Sequence, residues 1–126
     1  MEMQALGRHI LAEVYGCEFS ILNDLDKIRE ILVSAAISAG AEVRETAFHR
    51  FSPQGVSGVV VISESHLTIH TWPELGYAAL DVFTCGEKVD PWVALEAAKT
   101  GFKATSVKAS EYKRGLVEGT QTQCAC

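Results

Sequence analysis

The sequence predicts an α+β fold, a two-layer sandwich in which a mainly antiparallel sheet carries its helices on one face. Strand-like and helix-like segments follow one another as strand, helix, strands, helix, strand, which is the order of such a sandwich. A long β-branched run, GVVVISESHLTIHTW at residues 58–72, sits in the middle and is too rich in strand formers to be a helix. One segment, by contrast, repeats apolar residues at the helical period. With 126 residues, 48% of them hydrophobic and 21% charged, the chain suffices for one core and not two, so residues 1–126 are expected to form a single domain.

Residues 8–15, RHILAEVY, alternate Ile10, Ala12 and Val14 with polar or larger neighbours and read as a strand. Asn23 or Asp24 can cap a helix whose apolar positions are Leu25, Ile28, Ile31, Leu32, Ala35 and Ala36, with Gly40 as its stop. Residues 42–51 read as a second strand closed by the turn residues SPQG. Residues 58–72 form one long or two successive strands, and Pro73 to Gly76 make a turn. Residues 77–85, YAALDVFTC, form another strand ended by Gly86. Asp90 with Pro91 at the first helical position begins a helix over residues 91–101. A last strand, about residues 103–112, leads into a polar tail.

Along residues 66–72, Leu67, Ile69 and Thr71 point one way while His66, Thr68, His70 and Trp72 point the other. If the aliphatic residues meet the helices, histidines and a tryptophan line the opposite face. Such a face is either solvated or covered by a ligand or a partner.

Composition excludes several classes. A net charge of −5 without a basic stripe argues against a nucleic-acid partner, because phosphate contacts need clustered Lys and Arg. No stretch approaches the ~20 apolar residues of a membrane span, and residues 1–16 lack a basic start followed by an apolar run. A cytoplasmic protein that makes no membrane contact is therefore expected. Cys17 and Cys85 stand apart from Cys124 and Cys126 without a disulfide-framework spacing, so thiols are the expected state, with the last two cysteines in a disordered end.

The sharpest local feature is Glu64-Ser65-His66 between two strand-like runs. A hydrolase triad would place its serine on an elbow such as GxSxG, and none occurs. A zinc site built on His66 and His70 with Cys85 or His49 fails on distance, since residues four apart on a strand lie roughly 13 Å apart and zinc ligand bonds are about 2 Å. No metal is expected. Cys85 reads equally as a small buried hydrophobe or as a partly exposed proton donor or nucleophile.

Residues 55–86, GVSGVVVISESHLTIHTWPELGYAALDVFTCG, resemble the prokaryotic S-adenosylmethionine decarboxylases. LGRHILAEVYGC at residues 6–17, FHRF at 48–51 and DPW at 90–92 agree with them, so the resemblance spans about residues 5–114. ESHLTIHTWPE is its most specific part. The resemblance implies a pyruvoyl-dependent enzyme made as a proenzyme, which decarboxylates S-adenosylmethionine to the aminopropyl donor of spermidine and other polyamines. It implies self-cleavage between Glu64 and Ser65, giving a β chain of residues 1–64 and an α chain of residues 65–126. Ser65 becomes the covalent pyruvoyl cofactor, which forms a Schiff base with the substrate. Cys85 matches the catalytic proton donor, His70 the histidine that helps processing, and Ser57 a serine implicated in processing. Phe51 and Glu74 match substrate-pocket positions. A homodimer of processed αβ pairs is implied as well.

The chemistry suits these residue types. Decarboxylating an amino acid requires an electron sink, and the chain has no nicotinamide or pyridoxal signature that could supply another. Ser65 Oγ would attack the Glu64 carbonyl to give an ester, with Ser57 as a donor to the oxyanion, a contribution of roughly 3–4 kcal/mol in well-studied sites. His70 would remove the Ser65 α-proton, splitting the chain. Because Ser65 and His70 are oddly spaced, a regular strand would put them on opposite faces, so a bend or loop at the junction is expected. A sulfonium cation and an adenine ring favour aromatic neighbours. Phe48, Phe51, Trp72 and Phe83 are the candidates, at least two of them expected to be ordinary packing. Two rival readings stand: a pyruvoyl-dependent arginine or ornithine decarboxylase of the same fold, and a non-catalytic ligand-binding module that stays in one piece.

Overall fold

The structure, a computed structural model, describes residues 3–63 and 65–118. Its elements are β1 (Met3–Tyr15), α1 (Phe19–Leu22), α2 (Leu25–Ser38), β2 (Val43–Arg50), β3 (Val56–Ile62), β4 (Ser65–Trp72), a 3₁₀ turn (Pro73–Leu75), β5 (Tyr77–Cys85), α3 (Pro91–Gly101) and β6 (Ser106–Glu118). The strands form one sheet in the order β2-β3-β4-β5-β1-β6. Every neighbouring pair is antiparallel. This is the expected α+β sandwich.

Local chemistry explains the boundaries. The Asp24 carboxylate caps α2 by accepting from Lys27 N at 3.1 Å, and Gly40, at φ +95°, turns the chain away just past its C-terminus. Asp90 does the same for α3, accepting from Trp92 N at 3.0 Å with Pro91 at the first helical position, so the DPW motif is a helix start. Residues 58–72 resolve into two strands of one hairpin, with Ile62 opposite Ser65.

Three boundaries differ from expectation. The first strand starts at Met3 rather than residue 8, because β1 lies between β5 and β6 and pairs with β6 from Met3 onward. A one-turn helix, α1, precedes α2; its four residues are too few to show a period. The last strand is displaced to Ser106–Glu118. Lys103 sits at φ +55° and Ala104 N donates to Lys99 O, so these residues finish α3, while the strand runs on through residues whose polarity suggested a tail. An edge strand tolerates, and profits from, charged side chains on an exposed face. Glu64 and the tail cysteines Cys124 and Cys126 lie outside the described residues.

Helices cover one sheet face only, α2 over β2 and β3 and α3 over β1 and β5. Ile28, Leu32, Ala35 and Ala36 of α2 and Ala94, Leu95 and Ala98 of α3 are buried against Ile10, Val60, Leu67, Ile69, Leu80 and Val82 of the sheet. The alanines let helix and sheet backbones approach closely. Leu67, Ile69 and Thr71 thus face the helices as the alternation required, and His66, His70 and Trp72 occupy the uncovered face.

Candidate active site

The predicted site residues divide between the two ends of β4. At its start, Ser65 pairs with Ile62 of β3 and with Thr84 of β5. Its φ is +118°, a conformation that costs a side-chain-bearing residue about 1–3 kcal/mol. This is the bend that the odd spacing demanded. Ser65 Oγ lies 3.4 Å from Nδ1 of His66. Next to the Ser65 partner is Cys85, only 3% exposed. Cys85 is therefore the buried small side chain of the two sequence readings, and the partial exposure that the other required is absent from a single chain.

Ser63, two residues before Ser65, is held by Glu42 and by Arg44 of β2. Ser63 N donates to Glu42 O at 2.9 Å, Arg44 Nε donates to Ser63 Oγ at 2.9 Å, and Arg44 is paired with the Glu42 carboxylate at 3.1 Å. A break in register between Val43 and Glu45 leaves Arg44 as an extra residue in its strand. Such a bulge re-aims a side chain, here onto Ser63.

At the other end of β4, His70 Nδ1 is 2.7 Å from the hydroxyl of Ser57, its register partner on β3. The rings of Phe51 and Trp72 lie 5.9 and 4.2 Å from that of His70. Phe51, His70, Trp72 and Glu74 line one groove with a volume of about 200 Å³. That is below the 300–1,000 Å³ typical of small-molecule pockets. The aromatic row continues through Tyr77 to Tyr15. The Tyr77 hydroxyl donates to Glu13, which pushes its pKa up to about 12.

The four candidate aromatics separate. Phe48 packs on the helix side, over Gly58, where a Cβ would collide with its ring, and under the Arg29 guanidinium. Phe51 and Trp72 belong to the groove. Phe83 lies at the Ser65 end, stacked on His9 at 4.9 Å, edge-on to His66, and beneath Arg114.

The structure brings Ser57, His70, Phe51 and Glu74 together, and separately places Cys85 one residue beyond the register partner of Ser65. It does not bring Ser65 to His70. Five residues of extended strand span roughly 16 Å. Two residues near Ser65 escaped sequence reasoning. His66 was assigned only to a face, yet it touches the serine hydroxyl; burial is the first cause that lowers its pKa, followed by the charge of His9. Arg114 donates to His9 Nδ1 at 2.9 Å, so the proton of a neutral His9 sits on Nε2, facing Asp81 at 3.6 Å. Thr84 is the other, and only the strand register, invisible in sequence, could have revealed it. Among the described residues no cluster of three or more His, Cys, Asp or Glu side chains is placed to hold a metal ion, and no helix is long and apolar enough to cross a membrane.

Comparison with known proteins bears on this geometry. The profile of the family described as S-adenosylmethionine decarboxylase matches residues 8–115. The S-adenosylmethionine decarboxylase proenzyme of Moorella thermoacetica is 68% identical over 119 residues, covering 94% of this chain and 95% of that protein. The proenzyme of the same name from Syntrophomonas wolfei is 68% identical over 116 residues, 92% of each chain. Among solved structures, the adenosylmethionine decarboxylase of Aquifex aeolicus superposes with a TM-score of 0.87 at 35% identity, covering 95% of this chain and 99% of that one.

Proposed function

The chain belongs to the S-adenosylmethionine decarboxylase family, and from that premise we propose that it cuts itself between Glu64 and Ser65 and decarboxylates S-adenosylmethionine with a pyruvoyl group left at Ser65. The observation that carries this reading is the backbone of Ser65, held at φ +118° in the hairpin between β3 and β4. A serine that opens a strand in a glycine-like conformation stores strain that the loss of its preceding peptide bond would release.

In the first step Ser65 Oγ adds to the carbonyl carbon of residue 64. The new C–O bond replaces the C–N bond, and the hydroxyl proton passes to the departing Ser65 nitrogen. His66, whose lowered pKa favours the neutral ring, is the acceptor within reach of that proton. Removal of the Ser65 α-proton then eliminates the ester, separating residues 1–64, as a free carboxylate, from residues 65–126. The dehydroalanine left at position 65 would tautomerise to an imine, which water hydrolyses to the ketone with loss of ammonia. His70 is held for that task by Ser57, but it lies roughly 16 Å along its own strand from Ser65. A second copy placed over the open sheet face, related by a two-fold axis, would bring its own Ser57–His70 end to this Ser65 end. The same pairing would complete the groove lined by Phe51 and Glu74 and give the homodimer that the sequence implied.

The residues at Ser65 fit a pyruvoyl group: a small strained position, a buried thiol beside it, and an aromatic face at Phe83. Its ketone supplies the electron sink for decarboxylation. Cys85 holds the proton that the substrate α-carbon takes up once carbon dioxide has left. Phe51 and Trp72 offer faces to the adenine and the sulfonium, and Glu74 offers a countercharge. The relatives' names favour S-adenosylmethionine over arginine or ornithine.

Mass spectrometry of freshly purified protein tests the reading. Two fragments are expected in place of the 13.7 kDa chain, the C-terminal one blocked to N-terminal sequencing and trapped by borohydride. Carbon dioxide release should be faster from labelled S-adenosylmethionine than from arginine or ornithine. An intact chain without a reactive carbonyl would overturn the proposal.

A further inference from the structure

Two threonines are buried on the helix side of adjacent strands, and the protein treats them differently. Thr71, on β4, is 2% exposed and fully used: its hydroxyl donates to Leu22 O at 2.9 Å and accepts from Val56 N at 2.9 Å. Thr84, on β5, is 0% exposed, and its hydroxyl finds no hydrogen-bond partner among the described residues. A buried hydroxyl without a partner is costly, and valine would fill the same space without that cost.

The position of Thr84 supplies a reason for keeping it. Its register partner is Ser65, so the two residues stand opposite one another on neighbouring strands. The positive φ of Ser65 takes that residue out of the conformation of a regular strand. A donor that is needed only during the reaction has no partner in the resting chain, and a dry surrounding makes its hydrogen bond to a developing charge stronger.

We propose that Thr84 is a catalytic residue of self-cleavage, its hydroxyl donating a hydrogen bond to the scissile carbonyl oxygen as Ser65 Oγ adds to that carbonyl. The inference rests on the self-cleaving function proposed above. Thr84 is not consumed. The bond made is Ser65 Oγ to the carbonyl carbon, the bond broken is the peptide C–N, and the serine proton ends on the new amine. Thr84 stabilises the negative oxygen between the two events, a role for which one donor commonly contributes 10²–10³ in rate.

The test follows cleavage in cell-free translation, where each chain starts as precursor and the intact and cut forms separate on a gel. Thr84→Val is expected to lengthen the cleavage half-time by at least about tenfold, while melting at the wild-type temperature or above because the orphaned hydroxyl is gone. Thr84→Ser should cleave within about threefold of wild type. Should Thr84→Val lose cooperative melting, Thr84→Ala is compared with Thr84→Ser in its place. A valine variant that cleaves at the wild-type rate overturns the role of Thr84 alone. Serine and valine variants slowed alike, with lowered melting temperatures, would assign Thr84 to packing and overturn it too. Wild-type protein that never cleaves would instead sink the underlying function.

Discussion

The two ends of β4 are built to opposite specifications. At Ser65 the strand is strained, flanked by the buried side chains of Thr84 and Cys85, and braced from outside by Arg44 and Glu42 acting on Ser63. At His70 it is regular and exposed, with a hydroxyl partner and a row of stacked rings around the imidazole. In the function proposed above, one end holds the group to be converted and the other the base and the ligand-facing surface. The roughly 16 Å between them teaches that the motif ESHLTIH, continuous in sequence, serves two separate places in space. Within one chain, Ser65 and His70 stay at opposite ends of their strand.

The strongest way to break that comparison is to disable the ends one at a time. Ser65→Ala is expected to abolish cleavage and all decarboxylation, and His70→Ala to leave the chain uncut. Co-expressing the two variants should restore cleavage, because a mixed dimer contains one intact combination of ends. With random pairing about half of the His70→Ala chains would be cut. Quantifying the fragments by mass spectrometry decides it: no cleavage in the mixture would mean that each chain must process itself.

The second contrast lies across the strand instead of along it. Leu67→Ala, on the helix-facing side, should cost about 2–5 kcal/mol of stability through the cavity it leaves. His70→Ala, on the open side, should cost no more than about 0.5 kcal/mol while stopping the chemistry. Denaturant melts of both variants in a Ser65→Ala background, where the chain stays whole, give the comparison. A His70 variant destabilised as much as the Leu67 variant would make the open face part of the core.

How far the sequence reveals each end follows from what periodicity can encode. The alternation of Leu67, Ile69 and Thr71 with His66, His70 and Trp72 is a local property of one strand, and the structure keeps it without change. The caps at Asp24 and Asp90 are equally local. Ser65, His70, Ser57 and Cys85 could be named from the resemblance, but their separation into two clusters depends on register, which pairs Ser57 with His70 and Ser65 with Thr84. No pattern in residues 56–85 states which residue faces which. The orphaned Thr84 hydroxyl, the contact from His66 to Ser65 and the bulge that aims Arg44 at Ser63 are all consequences of that pairing. The limits of β6 were misjudged for a related reason: an edge strand with one neighbour need not alternate.

A smaller effect is expected from the brace. Arg44→Ala removes the donor to Ser63 Oγ and the ion pair to Glu42 in a solvent-exposed setting, where such contacts contribute about 1 kcal/mol or less. If the brace holds the junction in its strained form, cleavage should slow by roughly threefold to fivefold with little change in melting temperature. A variant that melts earlier but cleaves normally would make the brace a stabiliser of the hairpin with no part in processing.

The smallest effect concerns acid. Burial, and then the charge of His9, lowers the pKa of His66 from the ordinary 6.5, while Asp81 acts in the opposite direction. A base whose folded pKa lies below its unfolded value binds fewer protons when folded, so stability falls as the pH drops below about 6.5 and stops falling from this cause once the folded pKa is passed. Glu111, held below the usual carboxylate value of 4.5 by its hydrogen bonds to Arg8 and Trp92, loses its contribution only at lower pH. Melting temperatures between pH 7.5 and 5.5 therefore report the histidines and not that carboxylate. In the Ser65→Ala background, His66→Gln should flatten this part of the profile. Equal slopes with and without His66 would show that burial leaves the imidazole beside Ser65 unshifted, and the contrast between the two ends would then rest on geometry alone.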